Sequence, residues 1–403
     1  MVNKIDTDNV PKLRFSGFDG EWENKCVGEI CDFIVPGRNK PKDFNGDIPW
    51  ITTPDIEHNS FVYFSKSRLS ISKEEAREVG SKIVPTNSII ISCVGELGLV
   101  AIAGKDIVIN QQLHAFIPKD KINYRFLLYG LSMQRKYMDK VATKTAVPYM
   151  NKDNCNSIPV SFPSLPEQQK IASFLSGVDK KIQQLTRKKE LLERYKKGVM
   201  LKIFDREIRF KDGNGKDYPV WEEKRLGECL ALKSERNKTK EFTLVLSVNN
   251  KKGFVTQYEQ FDGYSVASKD ISNYKVVRRN EFAYNPSRIN VGSIARLDTY
   301  EVGIVSPMYV VFSLKKNINN VYFENLYQTH YFKHLIKIGC SGSVRDSLNF
   351  DDMANFLLDF PFLPEQKKIA SYLSYIDKKI ESIKTQLTKT QTFKKGLLQQ
   401  LFV

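Results

Sequence analysis

Gly98 and Gly104-Lys105-Asp106 come close to a phosphate-binding loop, but the gap is one residue too long. Asp106 also stands where Mg²⁺ would need a hydroxyl. Asn285-Pro286-Ser287-Arg288 half resembles the Asn-Pro-Pro-aromatic motif of amino-methyltransferases, yet no Gly-rich strand–turn–helix for a methyl donor accompanies it. His330 and His334 are four residues apart and could share a helix face. Zinc would need a third ligand, and Tyr331 occupies the place of the Glu in H-E-x-x-H. No Ser sits in G-x-S-x-G, and no pair of carboxylates has a spacing suited to acid–base work. Together these absences argue against an enzyme, and no metal site is expected.

What remains are side chains that bind without reacting. Lys and Arg number 62 against 46 Asp and Glu, a net charge of +16, and the pI is about 9.3. Such a balance points to nucleic acid or an acidic surface. Base edges are read by Arg, Lys, Asn and Gln, and phosphates are held by cations and hydroxyls. In the first half of the chain the candidates are Arg38, Asn39, Lys40 and Lys42, then Asn110, Gln111, Gln112 and His114, then Lys144 and Thr145. In the second half they are Arg278, Arg279, Asn285, Ser287, Arg288 and Asn290, with Ser343 and Arg345. The competing reading makes the charged loops solvated surface, and Asn110-Gln111-Gln112 and Asn285-Pro286 structural networks. Trp50, Phe61, Tyr63 and Tyr264 are expected in cores.

The elements that must position these residues come from a repeat. Leu165-Pro166-Glu167-Gln168-Gln169-Lys170-Ile171-Ala172-Ser173 returns 198 residues later as Leu363-Pro364-Glu365-Gln366-Lys367-Lys368-Ile369-Ala370-Ser371. Ungapped, 165–204 and 363–402 share 18 identities in 40. Trp22-Glu23 and Gly28-Glu29 match Trp221-Glu222 and Gly227-Glu228, and Leu13-Arg14-Phe15 resembles Ile208-Arg209-Phe210. Asn151-x-Asp153 and Phe162-Pro163 match Asn349-x-Asp351 and Phe360-Pro361. Between these borders, roughly 31–140 and 230–338, no ungapped match appears. Two units of about 200 residues are domains, not solenoid repeats.

The repeated segments are expected to be helices. Pro166 and Pro364 suit a first turn, and Glu167 and Glu365 suit the positive end of the dipole. Apolar residues at Ile171, Leu175, Val178, Ile182 and Leu185 step by four and three. So do Ile369, Leu373, Ile376, Ile380, Ile383 and Leu387. That alternation is a coiled-coil seam. Each helix should run about 38 residues, roughly 57 Å. Either each packs only on its own domain, or, the preferred reading, the two pair as an antiparallel rod.

The variable segments read as mixed α+β globules of about 150 residues. Strands are expected at 88–94, 99–103, 243–248, 274–277, 302–305 and 310–314, and helices at 124–137 and 323–338. The hydrophobic share of 41% is enough for real cores. Six scattered Cys without C-x-x-C spacing read as free thiols. No secretory signal and no long apolar window appear, so a soluble cytoplasmic protein is expected.

At the two L-P-E-Q-x-K-I-A segments, with these borders, the chain closely resembles the specificity (S) subunit of Type I restriction–modification systems. The resemblance covers essentially the whole sequence. Gly46-Asp47-Ile48-Pro49-Trp50-Ile51, Ile109 to His114, Tyr284 to Asn290 and Gly303 to Pro307 also look like segments common in such subunits.

The resemblance implies an α+β protein with two target-recognition domains, 1–162 and 206–360. Each is followed by a conserved helix, 163–205 and 361–403, and the helices form an antiparallel coiled coil with a pseudo-twofold repeat. It implies a non-catalytic chain whose domains each read half of a bipartite, non-palindromic DNA target while the coiled coil sets the spacer. Two methyltransferase (M) subunits with S-adenosylmethionine would dock on it, joined by restriction (R) subunits that use ATP and Mg²⁺. This chain itself would bind no cofactor. Docking would fall on the first turns and seam: Pro166, Glu167, Gln168, Ile171, Leu175 and their mates Pro364, Glu365, Gln366, Ile369, Leu373. Two other readings stand beside it: a stand-alone DNA methyltransferase or nuclease with unrecognised motifs, and a protein-only scaffold.

The charge is unevenly spread. Residues 165–204 and 363–402 carry +11 of the +16. This basic rod would face either spacer phosphates or acidic partner surfaces.

Overall fold

The computed structural model of the chain describes residues 9–37, 39–260, 270–340 and 347–403, and it divides into two units. The first combines the chain up to Arg187 with Thr385–Val403, and the second is Lys188–Lys384. Each unit therefore owns part of both long helices.

In the first unit β1 (Glu23–Cys26) and the one-turn α1 (Val27–Ile30) lead into β2 (Cys31–Ile34), β3 (Ile48–Ile51), β4 (Ser60–Val62) and β5 (Ser70–Ile71). After α2 (Lys73–Glu78) come β6 (Ile89–Ser92), β7 (Val100–Ala103), β8 (Val108–Ile109) and β9 (Leu113–Pro118). Then α3 (Tyr124–Ser132), α4 (Arg135–Val141), α5 (Lys152–Asn156) and β10 (Pro159–Phe162) precede the 40-residue α6 (Leu165–Phe204).

The second unit runs β11 (Glu222–Arg225), β12 (Leu230–Lys233), β13 (Leu246–Asn249), β14 (Gly253–Thr256), α7 (Gln257–Gln260), β15 (Lys275–Arg278), β16 (Phe282–Tyr284) and β17 (Ile294–Arg296). It continues with β18 (Val302–Val305), β19 (Val310–Leu314), α8 (Asn320–Leu326), α9 (His330–Cys340), α10 (Phe350–Ala354), β20 (Leu357–Phe360) and the 39-residue α11 (Leu363–Leu401).

The stretches without sequence similarity nevertheless share a topology. The first unit's main sheet is ordered β2-β9-β6-β7-β4, the second's β12-β19-β16-β17. β6 is antiparallel to β9 and β7, as β16 is to β19 and β17. The border ribbons β1–β10 and β11–β20 also correspond. A ladder is made by the backbone, and its inward positions ask only for apolar residues that fill space. Ile, Val and Ala serve in β6–β7, and Phe, Ala and Tyr in β16, so the fold repeats where identities do not.

Asparagines start the matching short helices. Asn123 Oδ1 accepts from Arg125 N and Phe126 N at 3.0 Å each, and Asn319 Oδ1 accepts from Tyr322 N at 2.9 Å. Asn151 and Asn349 cap α5 and α10 in the same way, which explains the repeated Asn-x-Asp. The helices expected over 124–137 and 323–338 are each broken in two. In the second, Thr329 Oγ1 donates to Leu326 O (2.7 Å) and accepts from Phe332 N (3.2 Å), ending one helix and starting the next.

The long helices pair within each unit and run antiparallel. Lys394 Nζ lies 2.6 Å from Asp179 in the first unit, and Lys196 Nζ lies 2.7 Å from Asp377 in the second. These are repeat-equivalent pairs. Ile171 and Leu175 enter the first unit's core together with Leu397, Leu398 and Leu401 from the other helix. Ile369, Leu373, Ile376 and Ile380 enter the second core with Ile203. Each helix thus begins on its own domain and ends in the core of the other. Leu185 and Ile383 are buried, while Val178, Ile182 and Leu387 are half-buried. Among the described residues no helix is long and apolar enough to cross a membrane, and no group of three or more His, Cys, Asp or Glu is placed to hold a metal.

Candidate nucleic-acid interface

In the first unit β6 ends in Cys93-Val94-Gly95, with a candidate loop on either side. Cys93 N donates to Gln112 O (2.9 Å), while Met150 N donates to Cys93 O and Gly95 N to Pro148 O, both 2.9 Å. This places the Asn110–Gln112 turn and the loop carrying Lys144 and Thr145 at one end of the sheet. Gln111, Gln112, Lys144 and Thr145 are exposed and Asn110 is half-buried. Asn110 Nδ2 and Thr53 Oγ1 donate to Gln112 Oε1 at 3.3 and 3.1 Å, so Gln112 is oriented before anything binds. A cavity of about 460 Å³ joins this turn to Asn39, Lys40 and Trp50, with Lys40 Nζ 6.0 Å from the Trp50 ring. Lys42 is exposed and its backbone N–H donates to Glu75 Oε1 at 2.6 Å. Arg38 lies outside the described residues.

His114 does not join this surface. It sits on β9 opposite Ile91, 3% exposed, with its ring 5.9 Å from Phe33 and 4.9 Å from Phe116. Desolvation pushes its pKa down to about 4, so it is a neutral core residue at pH 7. β9 is covered on both faces from Leu113 to Phe116, so either orientation would bury His114, which corrects the expectation of a DNA contact.

In the second unit the equivalent sheet end is the loop from β16 to β17. Ser287, Arg288 and Asn290 are exposed there. Asn285 is only 9% exposed: its Oδ1 accepts from Ser287 N (3.1 Å) and its Nδ2 points at Met308 Sδ (3.8 Å). It shapes the loop rather than presenting its amide to solvent. Gly292, at φ 93°, closes the turn in a region that suits glycine. Arg278 and Arg279 lie at the opposite end of β16 and are paired to Glu235 (2.6 Å) and Glu301 (2.8 Å). They do not join the cluster. Ser343 and Arg345 lie outside the described residues, as does Tyr264.

Sequence reasoning passed over one exposed group, Asn250-Lys251-Lys252, at the tip of the β13–β14 hairpin. Its signal is the Asn-Asn-Lys-Lys-Gly run between two apolar stretches, a hairpin signature.

The repeated helix starts also behave differently from expectation. Glu167 is 1% exposed and Glu365 0%. Arg14 Nε and Nη2 donate to Glu167 Oε1 and Oε2 at 2.8 Å each, and Arg209 donates to Glu365 at 3.2 and 2.6 Å. Gln168 and Gln366 are equally buried. Each accepts from the backbone of the helix-capping asparagine, Asn123 N and Asn319 N, at 2.9 Å. Each also donates to two carbonyls, those of Pro163 and Lys121 or of Pro361 and Asn317. Buried polar groups must be satisfied internally, and these are. Glu167, Gln168, Glu365 and Gln366 are therefore clamps inside the chain, and Ile171, Leu175, Ile369 and Leu373 are core. Only Pro166 and Pro364 of the first-turn candidates are exposed.

The comparisons agree with this duplicated design. The profile of a family described as the Type I restriction modification DNA specificity domain matches residues 19–194 and 219–390. The MjaIX specificity subunit of Methanocaldococcus jannaschii is 26% identical over 94% of this chain and 91% of its own length. The MjaVIII subunit of the same organism is 23% identical over 94% and 92%. The HindI subunit of Haemophilus influenzae is 28% identical over 36% and 32%. Among solved structures, an S subunit from M. genitalium superposes with a TM-score of 0.61, at 16% identity over 98% and 99% of the two chains. A chain from a study of complex assembly and conformational transition in the type I R-M system superposes at 0.52, with 14% identity over 94% and 96%. With both halves matched, the chain belongs to the Type I restriction modification DNA specificity family and carries two DNA-recognition domains of it.

Proposed function

We propose that this chain is a specificity subunit without an active site of its own, and that each unit reads one half of a bipartite, non-palindromic DNA target. The observation that supports it best is the contrast between shared backbone and unshared polar loops. The two main sheets share a four-strand order, yet equivalent sheet ends present Asn110, Gln111, Gln112, Lys144 and Thr145 in one unit and Ser287, Arg288 and Asn290 in the other. Amide, hydroxyl and guanidinium groups are those that read base edges and hold phosphates. Equal scaffolds with unequal loops suit two unlike half-sites. The paired helices act as the ruler that fixes the spacer. Their exposed faces dock two modification subunits that bring S-adenosylmethionine, and through them the restriction subunits that use ATP and Mg²⁺.

The test is a loop-domain exchange. Residues 31–150 are replaced by the matching stretch of another family member, leaving Trp22 and both helices in place. The complex is reconstituted with modification subunits and its methylated motif is mapped. One half-site should change and the other should persist. A change in both, or methyl transfer by the purified chain alone, would overturn the proposal.

A further inference from the structure

The tip of the β13–β14 hairpin is ordered from below and free above. Asn249 commits its side chain inward: Oδ1 accepts from Lys251 N (2.8 Å) and Lys252 N (3.1 Å), and Nδ2 donates to Gln260 Oε1 (3.0 Å). Gly253, at φ 71°, closes the turn. The root is held in a core, where Val248 and Phe254 pack with Val277, Ala295 and Val311. Buried Ser293 Oγ also donates to Val248 O at 3.0 Å, tying the hairpin to the β16–β17 loop. A cavity of about 600 Å³ is lined by the hairpin tip, Asn290 and Lys333. Its two acidic lining residues, Glu324 and Asp298, are both engaged by Arg296, at 2.8 and 3.6 Å.

The exposed side chains of the hairpin tip and of the β16–β17 loop are uncommitted. Among the described residues Asn250, Lys251, Lys252, Arg288 and Asn290 make no side-chain hydrogen bond or ion pair. Arg278, Arg279 and Arg296 of the same unit are all paired with acids. A rigid turn bearing unpaired cations and amides is poised for a polyanion whose base edges carry donors and acceptors. A two-stranded ribbon also fits the major groove, which is about 12 Å wide.

We propose that this hairpin is the groove-reading element of the second unit. Asn250 is its base-edge contact, and Lys251 and Lys252 are the phosphate contacts that set its depth. Asn250 contributes specificity because a carboxamide pairs with adenine through two hydrogen bonds. The lysines contribute affinity through counterion release. The assignment rests on reading this unit as a DNA-recognition domain.

The experiment uses the complex of the full chain with its modification subunits, and selects bound DNA from a random pool over a salt series. Asn250→Ala should lower base discrimination at one position of one half-site by about tenfold to a hundredfold, with the other half-site unchanged. Lys251→Ala with Lys252→Ala should keep the motif and reduce the slope of log affinity against log salt by about 2. Equal melting temperature and equal assembly with the partner subunits check that the variants fold. If the folded variants keep both the wild-type motif and the wild-type salt slope, the hairpin does not touch DNA and the inference fails. If the wild-type complex selects no bipartite motif, the functional reading fails instead.

Discussion

His114 shows how one residue's role depends on the burial of the strand that holds it. Beside Asn110-Gln111-Gln112 it reads as a further polar contact, but the strand turns it between Phe33 and Phe116. Unfolded, a histidine takes up its proton near pH 6.5; folded, this one does so near pH 4 because burial disfavours the charge. Between those values the unfolded chain binds more protons, so stability falls as pH drops through the window. The loss reaches about 3 kcal/mol by linkage. Thermal melts of His114→Phe should therefore lose much of the decline between pH 6.5 and pH 4 that the natural protein shows. An unchanged decline would assign the acid sensitivity to other groups. Burial also separates Asn285 from its neighbours Ser287 and Arg288, although all three are polar and adjacent in sequence.

The repeated helix start is a joint between a recognition domain and its rod. Arg14 or Arg209 comes from the segment ahead of each domain's first strand, and Glu167 or Glu365 from the helix after the domain. Gln168 and Gln366 hold the cap of the domain's own helix. Three parts of each unit meet in one buried network, which accounts for the repetition of L-P-E-Q. Arg14→Ala leaves the Glu167 carboxylate buried without its partner. By the cost of breaking such pairs it should destabilise the first unit by about 3–5 kcal/mol in urea unfolding. A loss below about 1 kcal/mol, the range of a surface pair, would mean that water reaches Glu167 and that the network does not hold the domain. The position and approximate length of both helices were legible from their period. The purpose of their first turn was not, because Pro-Glu-Gln in a helix start is equally suited to caps, partners and internal clamps.

At the scale of the whole molecule the first unit is built from two stretches far apart in sequence. The last turns of α11 supply Leu397, Leu398 and Leu401 to the first core, and Phe402 stacks on Phe126 (5.0 Å) and meets Trp22 edge-on (6.2 Å). Leu13 N donates to Gln400 O at 2.9 Å. Removing residues 397–403 should raise hydrogen exchange and protease cleavage in the first unit while leaving the second protected. Equal loosening of both, or of neither, would contradict this division of the cores. Sequence alone determined the duplication, the two helical stripes, the family resemblance and the mixed character of the domains. Periodicity and repeated identities are carried by the chain itself and need no partner to be read. Only tertiary structure decided which polar residues are spent inside. It turned His114, Glu167, Gln168, Glu365 and Gln366 inward and left Asn250, Lys251 and Lys252 free at a hairpin tip. It also showed one four-strand order beneath two dissimilar sequences. Burial and pairing depend on contacts between residues far apart in sequence, and a side chain's type does not state which of those contacts it will find.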